Sequence, residues 1–141
     1  MTSYLLRVHL PQPLDNLIEN IVNEYSLGKL RAHSIFERGY EDLNIKLDTA
    51  KGMFVLKIFS KLRPSSFPQQ NTIAMETLYK HGVPIPHLLA ANNKSLQTIK
   101  FNNMITQYCV MEYFDGKSFL EIDPQEKDFL AIPIFLHCFI P

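Results

Sequence analysis

Charge of one sign is what this chain most plainly lacks: 14 lysines and arginines balance 14 aspartates and glutamates. A neutral protein has no electrostatic footprint for nonspecific nucleic-acid binding or for attraction to anionic membranes, so neither is expected as a partner. Cysteine is scarce, with only Cys109 and Cys138. Two thiols make no disulfide framework; Cys109 lies in an apolar strand-like run, and a reducing, cytoplasmic setting suits it. No apolar segment of signal length accompanies Arg7 and His9, so export is not expected. The apolar run 129–141 is shorter than the ~20 residues a membrane-spanning helix needs, and Pro133 interrupts it. Repeats and low-complexity segments are also missing. What remains is a globular chain of 141 residues, enough for one domain with a real core.

Periodicity supplies the elements. Leu14, Leu17, Ile18, Ile21, Val22 and Tyr25 recur at helical spacing, which predicts a helix over 14–26 with Gly28 beyond its end. Three strands are predicted next, over 30–37, 43–47 and 53–60. A second helix is predicted over 67–81. Ser66 and Gln69 read as a capping box, Pro68 is tolerated in the first turn, and Gly82 forms the C-cap. Val83-Pro84-Ile85-Pro86 must be extended. Further strands are predicted at 87–91, 96–101 and 104–112, with turns at Asn92-Asn93-Lys94 and Asn102-Asn103. The order implies an α+β fold: an antiparallel sheet with a helix inserted after its third strand.

One residue stands out in that order. Lys57 interrupts the apolar strand Phe54-Val55-Leu56-Lys57-Ile58. Alternation puts Phe54, Leu56 and Ile58 on one face and Val55, Lys57 and Phe59 on the other. An unpaired buried ammonium is costly, so Lys57 needs an anionic partner or a route to water. Two readings fit: a lysine whose stem lies on apolar surface near a sheet edge, or a lysine that binds phosphate.

Four stretches resemble the N-terminal lobe of the aminoglycoside phosphotransferase superfamily, nearest its branch of type II homoserine kinases and hydroxylysine-kinase-like proteins. They are the acidic turn Gly39-Tyr40-Glu41-Asp42-Leu43-Asn44, the lysine strand 52–58, the helix end 76–86 with Gly82-Val83-Pro84-Ile85-Pro86, and the strand and hinge 108–116. The resemblance covers 21–119. It implies a kinase-like small lobe with a five-stranded antiparallel sheet over 29–116, an N-terminal helical segment over 1–28, and the truncated start of a large lobe over 117–141.

By position, the resemblance implies an ATP site. Lys57 would contact the phosphates and Glu76, from the following helix, would orient it. Val55 would roof the adenine and Met111 would stand at the back of the pocket. Glu112 would offer a carbonyl and Phe114 an amide to the adenine edge. Backbone amides near Gly39 and Tyr40 would approach the phosphates, although Gly39 is the only glycine of that turn. The parent family uses ATP and magnesium. Its His-Gly-Asp catalytic loop and second metal-binding aspartate have no counterpart here, so no catalytic or metal residue is assigned and the chain is expected to be inactive alone. Two other readings stay open: a noncatalytic nucleotide- or protein-binding module or gene remnant, and an unrelated α+β domain in which Lys57 and Glu76 are structural.

Overall fold

The computed structural model describes residues 10, 13–36, 41–101 and 104–115. Helix α1 (Asp15–Glu24) is followed by strands β1 (Leu30–Ile35), β2 (Leu43–Thr49) and β3 (Gly52–Ile58), helix α2 (Phe67–Lys80), and strands β4 (Gln97–Phe101) and β5 (Met104–Glu112). The strands form one antiparallel sheet in the order β1-β2-β3-β5-β4. The predicted α+β fold, with its five strands and inserted helix, is therefore the observed one.

Register divides the sheet into two faces. Leu43 pairs with Ile58 and Ile45 with Leu56, and these continue to Tyr108 and Val110 on β5. This face packs with Ile18, Ile21 and Val22 of α1 into the larger core, where Ile18, Ile45, Leu47, Leu56, Ile58 and Val110 are fully buried. Burying each such side chain contributes roughly 1.5–3 kcal/mol. Helix α1 is also tied at both ends. His33 Nε2 donates to Asp15 Oδ1 at 3.0 Å, and Glu24 accepts from Tyr108 Oη at 2.8 Å and from Asn92 Nδ2 at 3.1 Å. The opposite face carries Val55, Cys109 and Met111, which cluster with Phe59, Leu88 and with Phe67 and Met75 of α2.

Four local expectations change. Helix α1 stops at Glu24, and the left-handed residue that closes it is Ser26 (φ 53°), not Gly28. The Leu27 amide reaches the Val22 carbonyl and the Ser26 amide reaches the Asn23 carbonyl, the paired bonds of a Schellman ending. Gly28 (φ 80°) serves a different purpose: a Cβ there would lie 3.0 Å from Cβ of Ala50, in the β2–β3 turn. The turn docks there, with the Ala50 amide on the Lys29 carbonyl and the Lys51 amide on that of Leu27.

Ser66 forms no side-chain cap. Its backbone is already helical, because a turn bonded from the Phe67 amide to the Pro64 carbonyl runs directly into α2. Gly82 (φ 77°) does close α2 as expected, with Val83 bonding Leu78 and Gly82 bonding Tyr79. Segment 87–91 is extended but not a strand. It bonds β5 through the Leu89 amide and the His87 carbonyl, then turns away at left-handed Asn92 and Asn93.

Candidate functional site

The α2-side face of the sheet brings Lys57, Val55 and Met111 together. Val55 lies directly opposite Met111 on β5 and Lys46 on β2; one strand repeat away, Lys57 lies opposite Cys109 and Asn44. The alternation predicted for β3 is thus the observed one. Neighbouring rows of the same face, through Ser34, Lys46, Ala32, Asp48 and Met53, line a depression of about 240 Å³. Complete small-molecule sites enclose ~300–1,000 Å³. This depression lies toward β1, and Lys57, Val55 and Met111 are not among its lining residues.

Lys57 is neither a free surface amine nor a partner of Glu76. Its Nζ stands 3.2 Å from Oδ2 of Asp42, and the Lys57 side chain is 21% exposed against 4% for Asp42. It also lies 5.4 Å from the Phe59 ring centroid. Asp42 is set by its surroundings. Its Oδ1 accepts the Ser60 amide at 3.0 Å, the Ser60 hydroxyl accepts the Leu62 amide at 3.1 Å, and the Arg63 amide reaches the Ser60 carbonyl. The loop after β3 is thereby folded onto the Asp42 carboxylate. Arg63 completes the cluster: Nη2 lies 3.6 Å from Asp42 Oδ2 and Nε 2.6 Å from Glu41 Oε2.

Glu76 is held elsewhere. Its carboxylate accepts the Ser95 hydroxyl at 2.5 Å, and no ion pair joins it to Lys57. The sheet-facing positions of α2 are Pro68, Thr72 and Met75. Glu76 follows Thr72 by four residues and shares its side of α2, but its partly buried carboxylate is taken by Ser95 rather than by Lys57. The carboxylate expected from the helix after β3 is supplied instead by Asp42, at the start of β2.

Of the residues assigned to the hinge, Met111 and Glu112 end β5 and Phe114 lies just beyond it. The Glu112 amide bonds the His87 carbonyl, the Tyr113 amide bonds that of Met53, and Phe114 is 54% exposed. Tyr113 adds a feature with no signature in the sequence pattern. Its ring lies near-parallel to Phe36, with centroids 6.4 Å apart, and Lys46 Nζ sits 4.3 Å from the Tyr113 centroid. Gly39 and Tyr40 lie outside the described residues, as do Cys138 and segment 117–141. Beside Lys57, Cys109 is fully buried, and burial pushes its thiol up to about 12 despite the nearby ammonium. It is a packing residue, protonated at neutral pH. Among the described residues no cluster of His, Cys, Asp or Glu could hold a metal ion, and no helix is long and apolar enough to cross a membrane.

An α+β unit with a lysine-bearing third strand and an inserted helix is the class that fold and site define. No family model matches the chain. Curated relatives do. It is 35% identical over 75 residues to homoserine kinase of Burkholderia mallei (strain SAVP1), and equally so to that of Burkholderia pseudomallei (strain K96243). It is 32% identical over 82 residues to homoserine kinase of Burkholderia ambifaria (strain MC40-6). These matches take in 53–58% of this chain and only 22–24% of the relatives, so it spans less than a quarter of their length. They support a kinase-like relationship.

Proposed function

We propose that the chain is the nucleotide-binding part of an ATP-dependent small-molecule phosphotransferase. The parent protein would move the γ-phosphoryl group to a hydroxyl of an amino acid, amino alcohol or aminoglycoside-like acceptor. Residues 29–116 form the nucleotide-binding unit, with helix α1 packed on the sheet face opposite Lys57. Lys57 contacts phosphate, Val55 and Met111 flank the base, and the Glu112 carbonyl and Phe114 amide meet its edge. Backbone amides around Gly39 and Tyr40 would contact the phosphates. The donor set fits ATP: it offers the Lys57 ammonium to phosphate and the apolar pair Val55 and Met111 to the base. Phosphoryl transfer also needs an aspartate for the acceptor hydroxyl and ligands for magnesium. With no His-Gly-Asp in the sequence, we assign this chain binding and not turnover.

The observation that carries this reading is the side-by-side placement of Lys57, Val55 and Met111 on one sheet face, in a chain similar to homoserine kinases. A thermal-shift titration tests it. Mg-ATP should raise the melting temperature of the 141-residue chain, and Lys57→Ala should abolish the rise. No shift with the unmutated chain would sink nucleotide binding and leave a noncatalytic module or remnant.

A further inference from the structure

Arg63 has no part in the reading above, yet its surroundings are unlike those of a loop arginine. Its side chain is only 16% exposed, its guanidinium carbon lies 4.3 Å from the Phe67 ring centroid, and Glu41 and Asp42 flank it. It shares one carboxylate oxygen with Lys57: Asp42 Oδ2 is 3.2 Å from Lys57 Nζ and 3.6 Å from Arg63 Nη2. That oxygen is buried and makes no hydrogen bond, so it meets the two cations through charge alone. The Arg63 Nε contact with Glu41 is likewise short but off-line, leaving Nε buried without a hydrogen bond. Because Oδ1 is committed to the Ser60 amide, the Asp42 carboxylate is fixed, and the two cations are fixed relative to it.

We propose that Lys57 and Arg63 form a two-cation site for polyphosphate, spaced by Asp42 from beneath. Two like charges converging on one carboxylate oxygen are only half neutralised by it. The remaining carboxylate, Glu41, touches Arg63 alone and is 37% exposed. Glu41 brings the cluster to two charges of each sign, so a phosphate group binds by taking the place of this more exposed carboxylate on Arg63, with several acceptor oxygens that suit an ammonium and a guanidinium together. The Phe67 ring and the two carboxylates already hold the guanidinium, so little side-chain freedom remains to be lost on binding. Lys57 lies one strand repeat from Val55, which places this site next to the proposed base wall. The inference rests on the nucleotide reading for its natural ligand. Its competitor is a purely structural Arg63, bracing Glu41 and Asp42 against the loop before α2.

Calorimetric titration of the 141-residue chain with sodium tripolyphosphate, adenosine and Mg-ATP separates these. Arg63→Gln should weaken tripolyphosphate and ATP binding by about tenfold and leave adenosine unaffected. If adenosine and ATP bind but Arg63→Gln leaves tripolyphosphate affinity unchanged, the two-cation site falls and the nucleotide reading stands. If tripolyphosphate binds through Arg63 while adenosine and ATP do not, the site stands and the nucleotide reading falls. A chain that ignores tripolyphosphate overturns the site outright. Should Arg63→Gln fail to fold, the NMR resonance of the Arg63 Nε–H in the unmutated chain decides: tripolyphosphate must shift it, and an unmoved signal refutes the site.

Discussion

Asp42 joins three segments with a single carboxylate: it receives the Ser60 amide on one oxygen and two cations on the other. Removing one partner from a buried ion cluster is costlier than the net contribution of the cluster, because the remaining charges lose their counter-ion. Asp42→Asn should therefore lower unfolding free energy by about 3 kcal/mol, since asparagine still accepts the amide but leaves Lys57 facing Arg63. Glu76→Gln should cost no more than ~1 kcal/mol, the scale of its one hydrogen bond to Ser95. Urea unfolding of both variants checks this; equal losses would overturn the role of Asp42 as the counter-ion that Lys57 and Arg63 cannot lose cheaply. The need of Lys57 for an anion was legible from strand alternation alone. Which anion was not. Pairing of Leu43 with Ile58 brings the residue just before β2 beside the end of β3, and such register is a tertiary fact that no one-strand pattern carries. Arg63 was hidden for the same reason, since its partners precede it by some twenty residues of chain.

The two helices end alike, by Schellman bonds around a residue with positive φ, but with different residue types. Gly82 adopts that conformation without penalty, whereas Ser26 bears the steric cost of its Cβ. Ser26→Gly should stabilise the protein by roughly 0.5–1 kcal/mol, and Gly82→Ala should destabilise it by about 1 kcal/mol. Opposite shifts in melting temperature are the expected result, and shifts of the same sign would contradict this account. Gly82 was recognisable because a glycine follows the last periodic residue and proline follows soon after. Ser26 was not, since the apolar periodicity runs up to Tyr25, which is buried in the α1-side core, and carried the predicted helix on to residue 26. Segment 87–91 failed as a strand for a related reason. Its composition is strand-like, but the prolines before it and the left-handed asparagines after it leave too few residues to build a ladder.

Across the whole molecule, buried titratable groups set an alkaline limit. Cys109 is pushed from its ordinary 9.0 up to about 12 by burial, and burial also raises Tyr25 and Tyr108, the latter further through its bond to Glu24. A raised pKa in the folded state means the unfolded chain gives up its proton first. The associated stability is complete below the ordinary value and falls as pH rises toward the folded one. Unfolding free energy should therefore hold steady up to about pH 9 and decline steadily from there to pH 12. Circular dichroism across that range checks it, and a flat profile would show that these groups ionise without unfolding. The sheet order has a consequence for how such a protein comes into being. Strands β1 to β3 are consecutive hairpin neighbours and can pair as soon as they leave the ribosome. The central partner of β3 is β5, which emerges only after α2 and β4. Until then the β3 edge is an unpaired template beside an ion cluster, and the nascent chain passes through a stage in which its lysine face has one wall and no second.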